Sequence, residues 1–243
     1  MIARRPATAR TYTHSVNESP ATPPDALKAI ALPLLAVMGS LLVSGATFAA
    51  LGGRGDDVAR TLAFLAGSAT LAALGIFLLT RLPAHRRRMA IRGRRDGLVI
   101  GCGIGFALAI LAVAIVAAGV ALDSGARERL EEIAFELPDS TALVIVTTIA
   151  VVVLAPIGEE LVFRALLLRE LAGRIEARNA VLVSAAIFTA AHADAWLAWP
   201  RAAGLFMLGV GFALVYRRYG LLAAIGAHAA VNATAVGIVL ARG

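Results

Sequence analysis

The alternation of apolar and polar positions divides the chain into long hydrophobic windows separated by short charged segments. Residues 29–53 run for 25 positions without a charge, 61–80 for 20 and 97–122 for 26. A helix rises about 1.5 Å per residue, so about 20 apolar residues cross the hydrocarbon core of a bilayer. A fourth window, 140–158, is uncharged and continues through Glu159 and Glu160 to about Leu171 as one long helix. A fifth, 179–200, is interrupted only by His192 and Asp194. The sixth, 202–216, is short, so its flanking Arg201, Arg217 and Arg218 have to snorkel. The seventh, 219–241, holds His228. The pattern predicts an all-α polytopic membrane helix bundle of about seven transmembrane helices, within a range of six to eight.

Composition agrees with that reading. Hydrophobic residues are 59% of the 243 and charged residues 16%, with a mean hydropathy of +0.81, far from a soluble domain. The net charge of +7 suggests nucleic acid until it is located: residues 81–96 hold seven arginines and one aspartate. That cluster is a loop between helices with no interleaved aromatics, which argues for a cytoplasmic loop and against nucleic acid as a partner. Cys102 is the only cysteine, which excludes an intrachain disulfide and a cysteine-rich metal site. Basic residues are 22 Arg and one Lys, a pointer to a bacterial cell membrane.

Charge also orients the bundle. Residues 1–27, with Arg4, Arg5, Arg10 and prolines 20, 23 and 24, read as a disordered basic cytoplasmic tail rather than a signal peptide. The tail, the 81–96 loop, the 169–178 loop and Arg217/Arg218 fall on one side by alternation. Loop 123–139, with two arginines against six acids, falls on the other, as does 194–201 with Trp196 and Trp199. The expectation is N-terminus inside and C-terminus outside, with N-terminal transmembrane helices over 28–139 and a second helix bundle over 140–243.

Three of the windows carry unusual polar residues. An ionisable group inside a span costs a few kcal/mol and is a functional candidate by default. In Pro156-Ile-Gly-Glu159-Glu160-Leu-Val-Phe-Arg164, Glu160 and Arg164 are i,i+4 and share a helix face, whereas Glu159 points about 100° away. Arg164 can therefore hold Glu160 as a structural pair and leave Glu159 for chemistry. Pro156 withholds a helical hydrogen bond and kinks the helix upstream. The fifth window has Phe188-Thr-Ala-Ala-His192 and the seventh His228-Ala-Ala-Val-Asn232. Singly, a histidine or asparagine in a span is more often helix–helix glue. Across three windows each buried polar group needs a partner, and one shared cavity within the membrane is the economical answer. His192 lies only a few residues before the Trp196–Pro200 exit, so a tilted or re-entrant fifth helix is needed to bring it to the depth of the others.

Together, Pro156-x-x-Glu159-Glu160-x-x-x-Arg164, Phe188-x-x-x-His192 and His228-x-x-x-Asn232 resemble the three motifs of the CAAX-protease and bacteriocin-processing (CPBP, or Abi) family of intramembrane endopeptidases. Order and spacing match over about 140–235, and the resemblance implies that 140–243 is a CPBP-type catalytic helix bundle. The resemblance implies peptide-bond hydrolysis on a membrane-associated peptide or protein, with Glu159 as general base and His192 positioning the water. It assigns oxyanion stabilisation to His228 and Asn232, and Arg164 braces Glu160. A carboxylate withdrawn from water is a stronger base, and donors in a dry cavity stabilise an oxyanion well. No cofactor is favoured. Zinc on Glu159, His192 and His228 is the other possibility, since two histidines and a carboxylate are a set zinc accepts. The same polar residues leave open a proton-coupled transporter or a catalytically silent scaffold of the bacteriocin-immunity kind. Neither internal repeats nor paired broken helices support transport.

Overall fold

A computed structural model describes residues 23–52, 56–134 and 136–242. Most of the predicted tail lies outside the described residues; its end, from Pro23, is already the start of the first helix. The helices are α1 (Pro23–Ala50), α2 (Asp57–Arg81), α3 (Ala84–Ala90), α4 (Gly97–Leu122), α5 (Ala126–Glu132), α6 (Thr141–Ala172), α7 (Ala177–Ala190), α8 (Trp199–Tyr219) and α9 (Leu221–Leu240). No strand occurs among the described residues. Six of these helices are long and apolar enough to cross a membrane: α1, α2, α4, α6, α8 and α9. The protein is an integral, multi-pass membrane protein.

The fifth window is the exception. Its helix, α7, has 14 residues and stops at Ala190; a 3-10 segment, Ala193–Leu197, follows before α8 begins at Trp199. The predicted span over 179–200 is therefore a short helix plus an irregular segment. Both ends of that stretch remain where alternation puts them, because each end of the bundle is tied together by contacts. At the basic end, Arg86 meets Glu170 at 3.0 Å and the Arg94 N–H donates to the Tyr219 carbonyl at 3.2 Å. At the opposite end, Trp199 Nε1 donates to Asp123 at 3.0 Å and the Asp139 N–H donates to Asp57 at 3.2 Å. From Ala172 to Trp199 the chain thus passes from one end to the other.

Helix α6 is the centre of the bundle. All eight residues from Leu161 to Leu168 are buried, as expected of a helix packed on every side. It carries two π-helical stretches, Ala150–Leu154 and Leu161–Leu168, flanking Ala155–Glu160. The first lies just upstream of Pro156, where a missing N–H disturbs the regular ladder. At Gly158 a Cβ would stand 2.8 Å from the Ala72 backbone nitrogen, so only glycine lets α2 come this close beside the two glutamates. The pair Gly101 and Gly105 does the same for α4 and α9: added Cβ atoms would stand 2.1 Å from the Ala223 carbonyl and 2.3 Å from that of Ala227. That contact sets the depth of α9 one residue before His228.

Candidate active site

Glu159 and Glu160 sit where α6 is flanked by its two wide-turned stretches. Glu160 is fully buried and its Oε2 lies 3.2 Å from Arg164 Nε, one turn on. Arg164, also fully buried, donates from Nη2 to the Gly209 carbonyl at 3.4 Å. Three rings enclose its guanidinium: Phe188 at 4.7 Å, Phe212 at 5.7 Å and Phe163 at 5.8 Å. Aromatic faces offset part of the cost of taking a cation out of water.

His228 joins the two carboxylates. Its Nδ1 is 3.0 Å from Glu160 Oε1 and its Nε2 is 3.8 Å from Glu159 Oε2. An ionised Glu160 can only accept, so Nδ1–H donates and Nε2 is turned towards Glu159. The Phe212 ring stacks on the imidazole at 4.5 Å and 18° and holds that orientation.

His192 comes from the turn after α7. Its Nδ1–H donates to the Phe188 carbonyl at 2.8 Å, which leaves the lone pair on Nε2, 4.0 Å from Glu159 Oε2. The early end of α7 answers the depth problem: the helix stops, and the turn carries the ring to Glu159. Glu159 Oε2 is buried and has no hydrogen-bond partner within the protein. Two imidazole nitrogens from separate elements face it at distances that one water oxygen spans.

Asn232 lies elsewhere on the same wall. Its Nδ2 donates to the Val151 carbonyl at 2.8 Å. In this stretch the Ala155 N–H bonds to the Ala150 carbonyl, five residues back. The next donor in that register would be residue 156, and proline has none. Asn232 therefore supplies the hydrogen bond that Pro156 withholds, and ties α9 to α6 immediately upstream of Glu159. Among the six candidates, the structure gathers Glu159, Glu160, Arg164, His192 and His228 into one cluster and puts Asn232 on the backbone beside it.

Phe212 and Gly209 are contacts that sequence reasoning missed. Both lie in α8, an apolar window with no polar residue to single them out. Phe188 stood in the histidine motif, but its work is done by its backbone carbonyl and by its ring over Arg164.

The zinc alternative can be tested on spacing. Ligand atoms around tetrahedral zinc stand about 3.3 Å apart, given bonds of about 2.0–2.1 Å. Here Glu159 Oε2 stands 3.8 Å and 4.0 Å from the two Nε2 atoms. Among the described residues no group of three His, Cys, Asp or Glu is arranged to hold a metal ion. The donor types suit zinc; their spacing is wider than that of a zinc-bound set by roughly half an ångström.

Comparison with known families points to the same segment. Residues 141–234 match the family model described as Rce1-like, Type II CAAX prenyl endopeptidase Rce1-like. No curated protein and no solved structure matches the chain. The matched segment spans α6 to most of α9 and contains all six candidate residues. The match is consistent with the CPBP family and, in a multi-pass membrane protein, supports an intramembrane endopeptidase in general.

Proposed function

We propose that the protein hydrolyses a peptide bond within the membrane, with Glu159 as the general base. The observation that carries this reading is the buried, unpartnered Glu159 Oε2 facing His192 Nε2 at 4.0 Å and His228 Nε2 at 3.8 Å. A water bound among these three atoms is oriented by His192 and gives its proton to Glu159 as its oxygen attacks the scissile carbonyl carbon. The carbonyl π electrons move to oxygen, forming a tetrahedral oxyanion. When the C–N bond breaks, the proton taken by Glu159 passes to the leaving nitrogen.

His228 suits the second half of this sequence. Its Nδ1–H on Glu160 repeats the carboxylate–histidine pairing of hydrolytic triads, which favours a ring that accepts a proton at Nε2 and releases it. The proton taken by Glu159 can reach the leaving nitrogen through His228 Nε2, 3.8 Å away. While it rests there, that Nε2–H and the second Nδ2–H of Asn232 are the donors available to an oxyanion. Glu160 and Arg164 hold His228 rather than react. No step is routed through a metal. Full activity of the purified protein after exhaustive chelation supports this; loss restored by zinc overturns it.

The substrate class we assign is a membrane-associated peptide or protein. We place the protein in a bacterial cell membrane with its basic end, and so its N-terminus, in the cytoplasm. The test of the mechanism is a peptide-cleavage assay comparing Glu159→Ala with Glu160→Gln, with folding followed in parallel. Full activity in a folded Glu159→Ala protein would end the general-base assignment.

A further inference from the structure

Away from the catalytic cluster, the basic end of the bundle holds a cavity of about 240 Å3 between α1, α2 and α6. Its inner wall is apolar, with Leu32, Leu78 and Leu166. Lys28, Arg81, Arg86 and Arg169 line it too, against the single acid Glu170. Glu170 is already engaged, by Arg86 at 3.0 Å and by Arg174. Arg81 lies over the Phe77 ring at 4.7 Å, and neither it nor Lys28 has an acidic partner among the described residues. Lys28 precedes the first charge-free window and Arg81 ends the second, the depth at which lipid headgroups lie.

We propose that this cavity binds an anionic phospholipid, its phosphate between Lys28 and Arg81 and an acyl chain along Leu32, Leu78 and Leu166. Unneutralised cations above an apolar wall match a molecule with one anionic end and one hydrocarbon end. A zwitterionic lipid brings its own cation to a rim that already has an excess. A free anion leaves the apolar wall uncovered. The volume of about 240 Å3 accommodates a phosphate group and the first few methylenes of a chain. The cavity includes Ala165 and Leu166, which directly follow Arg164, so a bound lipid touches the helix that carries the two glutamates. This inference does not depend on the proteolytic reading.

The test is native mass spectrometry of the full-length protein in detergent, with phosphatidylglycerol or phosphatidylcholine at matched concentrations. Phosphatidylglycerol is expected to be retained roughly ten-fold better, a preference that falls to parity in Lys28→Gln/Arg81→Gln. A control pair at the same end, Arg217→Gln/Arg218→Gln, is expected to keep it. Leu78→Trp, which fills the cavity without changing charge, is expected to lower retention of phosphatidylglycerol. Excess inorganic phosphate is expected not to displace the lipid. Equal retention of both lipids by the unaltered protein, an unchanged preference in the Lys28/Arg81 variant, the same loss in the control pair, full retention in Leu78→Trp, or displacement by phosphate would each overturn the proposal.

Discussion

Two neighbouring carboxylates on α6 occupy opposite kinds of surroundings. Glu160 shares with Arg164 a closed compartment in which both side chains have 0% exposure. Glu159 retains 17% and faces His192 at 26%. One helical turn after Glu160 stands an arginine; one turn after Glu159 stands Phe163, which offers no charge. Each carboxylate has an Oε2 without a hydrogen bond, but that of Glu160 lies 3.2 Å from a guanidinium nitrogen of Arg164, whereas that of Glu159 faces imidazole nitrogens at 3.8 Å and 4.0 Å. The difference separates a group that builds the site from one that can react in it.

The comparison breaks most sharply at Glu159. Glu159→Gln keeps the shape and removes the base, and is expected to lower kcat for peptide cleavage about 10^3-fold with an unchanged unfolding midpoint. If midpoint and rate fell together, Glu159 would belong with Glu160 as a structural group. The reverse pattern is expected in the closed compartment. Arg164→Met leaves Glu160 buried without its cation, which costs about 3–5 kcal/mol of stability. Glu160→Gln/Arg164→Met is expected to recover most of that loss in a detergent unfolding titration, because the uncompensated charge is gone.

Asn232 sharpens the contrast on a smaller scale. Asn232→Ala strands the Val151 carbonyl and is expected to cost about 1–3 kcal/mol. Pro156→Ala restores a backbone donor in the same stretch, so the double variant should lose less than the two single losses added. Strict additivity in that cycle would show that the two groups do not share one carbonyl. The smallest effect is expected far from the cluster. Trp199→Phe loses the bond to Asp123 at the bundle end and should cost about 0.5–1.5 kcal/mol with cleavage unaltered.

Much of the architecture was legible because lipid imposes a simple rule on backbone. Each charge-free window long enough to cross a bilayer had to be helical to satisfy its own hydrogen bonds, and α1, α2, α4, α6 and α9 fall where the windows do. The window over 179–200 misled for a related reason. Its residues are apolar enough to span, but hydropathy does not register where a helix stops, and no glycine or proline marks Ala190. The spacing of Gly101 and Gly105 was visible without its partner; that these residues meet Ala223 and Ala227 needed the packed bundle.

The candidate site divides in the same way. Glu160 and Arg164 could be paired from sequence, because i,i+4 is a local relation set by helix geometry. The bonds from His228 to Glu160 and from Asn232 to Val151 join residues 68 and 81 positions apart. No local periodicity specifies such contacts. Sequence by itself determined a helical membrane bundle, its two differently charged ends and the residue types available for chemistry, since those follow from solvent and from spacing along one helix. Only the tertiary structure decided which imidazole nitrogen faces which carboxylate and which glutamate is sealed away. Those outcomes depend on how closely separate helices approach, and glycines and aromatic rings on neighbouring helices set that distance.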